Sequence, residues 1–197
     1  MPYRNRNAAK AYPLSIKHRN TIMPKFTLTT LLSCCLAFFP LMVMAQTCNP
    51  RIPATTPTSR YTQHANGTVV DKDTGLMWKT CREGQIWNDQ AHSCELLATE
   101  YGWTESLQYI ASLNKQGGFA GYSDWRLPNI KELLTLVERQ CVNPAVNLAV
   151  FPNFDYPWTA QPSSFEAYSN RIVDFMAGRA FYQHGRRGYP MRLVRNQ

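Results

Sequence analysis

The stretch G-Y-S-D-W-R-L-P-N-I-K-E-L, residues 121–133, marks a boundary between two elements of secondary structure. Pro128 favours an extended backbone at Leu127, because the proline ring clashes with a helical residue placed before it. Asn129 is a preferred helix N-cap, and Glu132, three residues later, completes a capping box. The stretch therefore predicts a short strand that ends at Leu127 and a helix that begins after Asn129.

The predicted helix carries one apolar stripe. Its members follow the i, i+3, i+4, i+7 spacing of a buried helix face: Ile130, Leu133, Leu134 and Val137. In the preceding strand, 124–127, Trp125 and Leu127 would attach the junction to the core. We expect Arg126 to pair with a carboxylate near the helix start.

The first half of the chain predicts a hairpin and a second helix. Residues 66–79 have the pattern of a hairpin, with Gly75 at a turn position that needs positive φ. A helix is predicted to open at Thr104 and to stop at Gly117 and Gly118. Residues 46–63 are rich in Pro and Thr and predict an extended lead-in, so the domain is expected to span 64–197.

The second half predicts mostly strands, over residues 156–160, 171–175, 180–183 and 190–195. In the last of these, Met191, Leu193 and Arg195 are expected to alternate with Arg192 and Val194. Arg192 and Arg195 are assigned structural roles because they lie on this strand. Helices without regular β–α alternation indicate the α+β class.

The first 45 residues have the pattern of a secretory signal peptide. Residues 1–25 contain six basic residues and no acidic ones, residues 26–44 are mostly apolar, and small or modest side chains precede a cleavage site after Ala45. Translation starts at either Met1 or Met23. We predict an exported protein (periplasmic, at the cell surface or secreted) with no stable membrane span after cleavage.

Removal of this leader changes what the charge indicates. The whole chain has 21 Lys and Arg against 13 Asp and Glu, for a net charge of +8. Without the six basic residues of the leader, 15 basic and 13 acidic residues leave a net charge of +2. The sequence therefore offers little support for nucleic-acid binding.

Four cysteines remain after the leader: Cys48, Cys81, Cys94 and Cys141. In an exported domain, four cysteines predict two disulfides, with three possible pairings. Cys81 and Cys94 flank a polar stretch, which favours a bond between them, and Cys48 then joins Cys141 by elimination. A zinc site is disfavoured because no pair has the short C-x-x-C spacing.

The chain resembles the Lcl C-terminal domain family. The resemblance rests on G-T-V-V-D-K-D-T-G-L-M-W (67–78), C-R-E-G-Q-I-W (81–87), F-A-G-Y-S-D-W-R-L-P-N-I-K-E-L (119–133), N-P-A-V-N with F-P (143–152), and R-L-V-R (192–195). It covers nearly all of residues 60–195. Pro157-Trp158-Thr159-Ala160 departs from the family, which usually has Trp followed by serines.

The resemblance implies a C-type-lectin-like fold: two helices and a small curved antiparallel sheet, with long loops on one side. It also implies an exported or surface protein. The adhesin domain that gives the family its name is associated with sulfated glycans and with trimers, so a homo-oligomer is compatible with the sequence.

Catalytic and metal-binding patterns are weak. His64, His92 and His184 are widely separated, and neither G-x-S-x-G nor H-E-x-x-H occurs. W-N-D at 87–89 resembles a calcium-binding triplet of lectins, but it supplies few oxygens and lies inside the predicted disulfide loop. We therefore expect no catalytic residues, metal or cofactor, and interpret Asp71 and Asp73 as turn formers.

The strongest binding signal is the arginine-rich C-terminus. Guanidinium groups suit sulfate and carboxylate, and aromatic faces can stack on sugar rings. The candidate ligand-binding residues are Arg179, Tyr182, His184, Arg186, Arg187 and Trp158. The alternative interpretation of Arg186 and Arg187 is that they are basic residues of a solvated hairpin tip, where they favour solubility. Trp78, Trp103 and Trp125 are interpreted as core residues.

These observations predict an exported, non-enzymatic recognition domain that binds a glycan, sulfated or otherwise anionic, or a surface partner. A second hypothesis is a structural or assembly module of an envelope or pilus complex that binds protein. A third is an uncharacterised enzyme.

Overall fold

The structure, a computed structural model, describes residues 46–152, 158–162, 169–184 and 187–197. The predicted leader, 1–45, lies outside the described residues. Those described fall within one compact unit, Met42–Gln197. Its strands are β1 (Thr47–Cys48), β2 (Tyr61–His64), β3 (Thr68–Asp71), β4 (Leu76–Lys79), β5 (Ile86–Asn88), β6 (Ser93–Glu95), β7 (Glu100–Tyr101), β8 (Cys141–Val142), β9 (Trp158–Pro162), β10 (Ser169–Asp174), β11 (Arg179–His184), β12 (Tyr189–Pro190) and β13 (Val194–Asn196). The helices are α1 (Trp103–Lys115), α2 (Ile130–Leu134) and a 3₁₀ turn at Thr58–Arg60.

The strands form several small antiparallel sheets instead of one. A four-stranded sheet has the order β13–β4–β3–β2, and a three-stranded sheet has the order β11–β10–β9. Three two-stranded pairs join β1 to β8, β7 to β12 and β5 to β6. The described part of the chain is thus mixed α and β with two α-helices, as predicted. None of its helices is long and apolar enough to cross a membrane.

The four-stranded sheet has apolar clusters on both faces. One cluster contains Val69 and Trp78, and through it α2 and the three-stranded sheet pack against the four-stranded sheet. The other contains Val70 and Met77 with Ile110 of α1. Because neither face meets water, every residue of β3 and β4 is buried. These strands therefore lack the apolar–polar alternation of a half-exposed sheet.

The predicted hairpin at 66–79 is confirmed as β3 and β4. Gly75 has φ 68° in its turn, in the left-handed region. Asp71 is a turn former, as predicted, because its Oδ1 accepts a hydrogen bond from the Asp73 N–H at 3.1 Å. Its carboxylate also forms an ion pair with Arg60, which ties the turn to the segment before β2.

The helix start at Asn129 is also confirmed. The Asn129 Oδ1 accepts the Lys131 and Glu132 N–H groups at 2.9 and 3.0 Å. The Glu132 Oε2 in turn accepts the Asn129 N–H at 2.7 Å. Arg126 donates both of its terminal nitrogens to the Glu132 carboxylate at 2.8 Å, as expected. This charge-assisted hydrogen bond holds the pKa of Glu132 below its usual value.

Two parts of the junction differ from the prediction. Residues 124–127 form only a single β-bridge, between Arg126 and Val194, because the Asn114 side chain forms hydrogen bonds with both the backbone N–H and the carbonyl of Trp125. Its Oδ1 accepts the Trp125 N–H at 3.1 Å, and its Nδ2 donates to the Trp125 carbonyl at 2.8 Å. Helix α2 ends at Leu134, and the buried Val137 lies beyond it in an isolated bridge with Val146.

The predicted strand 190–195 is interrupted. Met191, Arg192 and Leu193 connect β12 to β13, which belong to different sheets. The alternation predicted for this segment is wrong, since residues 191–194 are all buried. The carbonyl of Met191 accepts the Glu83 N–H and that of Leu193 accepts the Lys79 N–H, each at 3.0 Å. The segment therefore links the end of β4 to the loop that follows it.

Both predicted disulfides are present, Cys48–Cys141 and Cys81–Cys94. The Cys48–Cys141 bond joins β1 to β8, so the lead-in predicted at 46–63 is attached to the rest of the domain. The buried Glu138 carboxylate holds the same segment, since it accepts the backbone N–H groups of Thr55 and Thr56 at 2.9 and 2.8 Å. The second disulfide closes the loop that contains the β5–β6 hairpin.

Candidate functional site

Three of the six predicted ligand-binding residues, Arg179, Tyr182 and His184, lie on β11 of the hairpin formed by β10 and β11. Tyr182 is 53% exposed, and the Arg179 side chain is 75% exposed. His184 pairs with Ser169 at the open end of this hairpin, and Trp158 pairs with Val173. Arg186 lies outside the described residues.

Two arginines of this region rest on tyrosine rings. The Arg171 guanidinium lies 5.3 Å from the centroid of Tyr182, its cross-strand partner. Arg187 is exposed, and its guanidinium lies 5.7 Å from the ring of the buried Tyr189. Cation–π contacts of this kind restrict a guanidinium while its N–H donors stay available. Arg171 was not among the predicted site residues. Its position opposite Tyr182 in the pairing of β10 with β11 makes it a candidate binding residue.

The structure does not place all of the predicted residues on one surface. Successive side chains of a strand point to opposite faces, so Arg179 and Tyr182 lie on opposite faces of β11. Arg179 lies 4.0 Å from Asp174, its partner across the turn. Arg192 and Arg195 have structural roles, as predicted. Arg192 is buried, and Arg195 donates to Asp124 at 2.7 Å.

A separate cavity of about 570 Å³ lies between the β2–β3 turn, the loop after β4 and helix α1. Its walls include the aromatic side chains of Trp87, Tyr109 and Phe119. Its volume falls in the range of about 300–1,000 Å³ that is typical of small-molecule sites. The cavity was missed from the sequence because its walls come from segments up to 54 residues apart, between Ala65 and Phe119.

An ion pair between Lys79 and Glu83 is buried in the cavity wall. Lys79 Nζ lies 2.7 Å from Glu83 Oε1, and the two side chains are only 8% and 1% exposed. The Tyr109 hydroxyl donates to Glu83 Oε2 at 2.6 Å. Burial, together with this carboxylate, raises the pKa of Tyr109, so the hydroxyl remains a donor at neutral pH. Lys79 Nζ also lies 4.2 Å from the centroid of Phe119.

The backbone around the cavity is set by neighbouring contacts. Arg192 donates to the carbonyls of Lys79, at 2.7 Å, and of Thr80, which holds the end of β4 in place. Gly67 has φ 77°, and a Cβ there would lie 2.8 Å from the Trp87 Cβ. Glycine at this position thus permits the β2–β3 turn to approach the indole closely.

The W-N-D triplet has local partners. Asn88 donates to Glu95 at 2.5 Å across the β5–β6 pair, and its Oδ1 accepts the Ala91 N–H at 3.0 Å. These are the hydrogen bonds of a short hairpin turn. Within the described ranges, no group of three or more His, Cys, Asp or Glu side chains is arranged to hold a metal ion.

The described residues thus define an α+β domain with a hairpin that carries Arg171 and Arg179, and with an aromatic-walled cavity that contains a buried ion pair. The chain matches the Lcl C-terminal domain over residues 67–195, and it belongs to the Lcl C-terminal domain family. Comparison with curated proteins and with solved structures finds no significant match.

Proposed function

We propose that this protein is an exported, non-enzymatic recognition domain with a C-type-lectin-like fold that binds anionic glycans. We assign the binding to Arg171, Tyr182 and Arg187 and call these residues the arginine surface; Arg186, which precedes Arg187 in the sequence, lies outside the described residues and is included in the test. A leader at 1–45 and two disulfides suit an oxidising compartment outside the cytosol.

The observation that supports this function best is the pairing of two guanidinium groups, of the half-buried Arg171 and the exposed Arg187, with tyrosine rings. Within the described ranges, neither Arg171 nor Arg187 forms an ion pair with a carboxylate. Arginine forks match the geometry of sulfate and carboxylate, and we propose that these two guanidinium groups bind such an anion. Tyr182 adds an exposed ring on which a sugar can stack.

Retention on immobilised heparin tests this proposal. We expect the protein to bind at low salt and to elute as ionic strength rises, because contacts between exposed charges are screened. Replacement of Arg186 and Arg187 together by alanine should lower the salt concentration needed for elution. The measurement is a salt gradient with both proteins on the same column.

The matched control removes two positive charges elsewhere. Lys131 and Arg139 are both exposed, and the double variant Lys131→Ala, Arg139→Ala has the same net charge as the first variant. It should elute close to the wild-type protein. Equal shifts for the two double variants would show a general charge effect and would contradict a site on the arginine surface.

A second candidate function is an assembly module that binds an envelope or pilus protein. Exposed apolar side chains near the β5–β6 pair favour it: Leu97 is 90% exposed, Leu96 66% and Ile86 60%. Contiguous apolar surface is typical of protein–protein contacts. Loss of a captured envelope protein on replacing Leu96 and Leu97 by serine, with no binding to heparin, would favour this function over glycan recognition.

A further inference from the structure

We propose that the cavity bounded by Lys79, Glu83, Trp87, Tyr109 and Phe119 binds a neutral sugar ring of monosaccharide size. This site is separate from the arginine surface, and its ligand carries no charge. The inference therefore does not depend on the proposed recognition of anionic glycans.

The charge of the cavity wall selects a neutral ligand. Lys79 and Glu83 neutralise one another at 2.7 Å, and Glu83 also accepts the Tyr109 hydroxyl. An anion drawn to Lys79 would lie beside the Glu83 carboxylate, and a cation drawn to Glu83 would lie beside Lys79. Either would have to lose its water beside a charge of its own sign.

The hydrogen-bonding groups select a ligand that carries oxygen. The Trp87 indole nitrogen is buried and has no acceptor among the described residues. A buried N–H without a partner costs about 1–3 kcal/mol, so a purely apolar occupant would leave that cost in place. A hydroxyl group can accept from such an N–H or from Lys79 and can donate to Glu83.

The shape and the walls of the cavity favour a ring. Trp87, Tyr109 and Phe119 supply aromatic surface, and Leu113 adds an aliphatic patch. A pyranose has C–H groups that pack on such surfaces and hydroxyl groups around its edge. The cavity, about 570 Å³ in volume and lined in part by the exposed Ala65, is large enough for one such ring.

Saturation-transfer NMR with glucose, galactose, mannose and N-acetylglucosamine tests this inference on protein purified after expression of the full chain. We expect transfer to at least one of the four sugars at millimolar concentration, with no dependence on added NaCl. The absence of transfer to all four sugars from folded protein would overturn the inference. Heparin retention is measured on the same preparation, so failure of one site is distinguished from failure of the other.

Two variants locate the binding. Ala65→Trp adds a large ring at an exposed position of the cavity lining and should abolish transfer, while circular dichroism confirms the fold. Trp87→Phe keeps an aromatic ring but removes the indole N–H, and it should weaken the affinity about 3- to 10-fold, the size expected for one neutral hydrogen bond. Unchanged transfer in folded Ala65→Trp would place the sugar elsewhere and would contradict the inference.

Discussion

Removal of the Cys48–Cys141 disulfide by alanine substitution of both residues should cost about 4–5 kcal/mol of unfolding free energy, the estimate for a closed loop of nearly a hundred residues. The two cysteines are 93 residues apart in sequence. The bond ties β1 to β8, so it restricts the unfolded chain over most of the domain. The measurement is urea unfolding of both proteins under oxidising conditions.

The second disulfide provides a matched comparison. Cys81 and Cys94 are only 13 residues apart, and the same chain-entropy estimate gives about 3 kcal/mol for a loop of this size. Replacement of this pair by alanine should therefore be less damaging than replacement of the first. The reverse order would contradict the role we assign to the longer link. Because folded domains are stable by about 5–15 kcal/mol, the first variant should be close to unfolding at elevated temperature.

Trp125→Ala should destabilise the domain by about 3–5 kcal/mol, the usual cost of removing a large aromatic side chain from a core. Trp125 is 1% exposed in the cluster between the four-stranded sheet and α1. Its indole N–H also donates to the Phe119 carbonyl at 3.0 Å, and its ring packs edge-on against Phe119. The substitution therefore leaves a cavity and removes one of the two hydrogen bonds that the Phe119 carbonyl accepts, the other coming from the Tyr122 N–H. Thermal and urea unfolding measure the loss.

Two further variants separate these contributions. Trp125→Phe keeps most of the ring and loses the indole hydrogen bond, so it should cost about 1–2 kcal/mol. Trp103→Ala removes a tryptophan that is only half-buried and should cost less than Trp125→Ala. A loss for Trp103→Ala as large as that for Trp125→Ala would contradict the placement of Trp125 at the centre of this cluster.

Local signals in the sequence predicted local structure well. Gly75 specifies the β3–β4 turn, Asn129 and Glu132 specify the start of α2, and Arg126 finds its carboxylate six residues away. Each of these features depends on residues close together in the chain. The two disulfides were also predictable, because compartment and loop composition limit the pairings of four cysteines.

Features that depend on distant residues were not predicted. The strand expected at 124–127 is lost because the Asn114 side chain from α1 takes the hydrogen bonds of Trp125. Apolar–polar alternation is absent at 191–194 because that segment is covered on both sides. In both cases tertiary contacts override the local preference for a regular strand.

The candidate sites show the same limit. Composition identified the arginine-rich C-terminus, but the register of β10 and β11 was needed to pair Arg171 with Tyr182 and to separate Arg179 from it. The cavity could not be inferred from any motif. Lys79 and Glu83 have an i, i+4 spacing that suggests a helix pair, whereas the structure forms their ion pair across the end of β4 and the loop that follows it.

The most direct test of recognition by the arginine surface is a glycan array that carries heparin oligosaccharides in matched sulfated and desulfated forms. We predict binding to the sulfated forms that weakens with salt and with the double variant Arg186→Ala, Arg187→Ala, and little binding to the desulfated forms. Equal binding to both forms, or no binding to either by folded, disulfide-bonded protein, would contradict it.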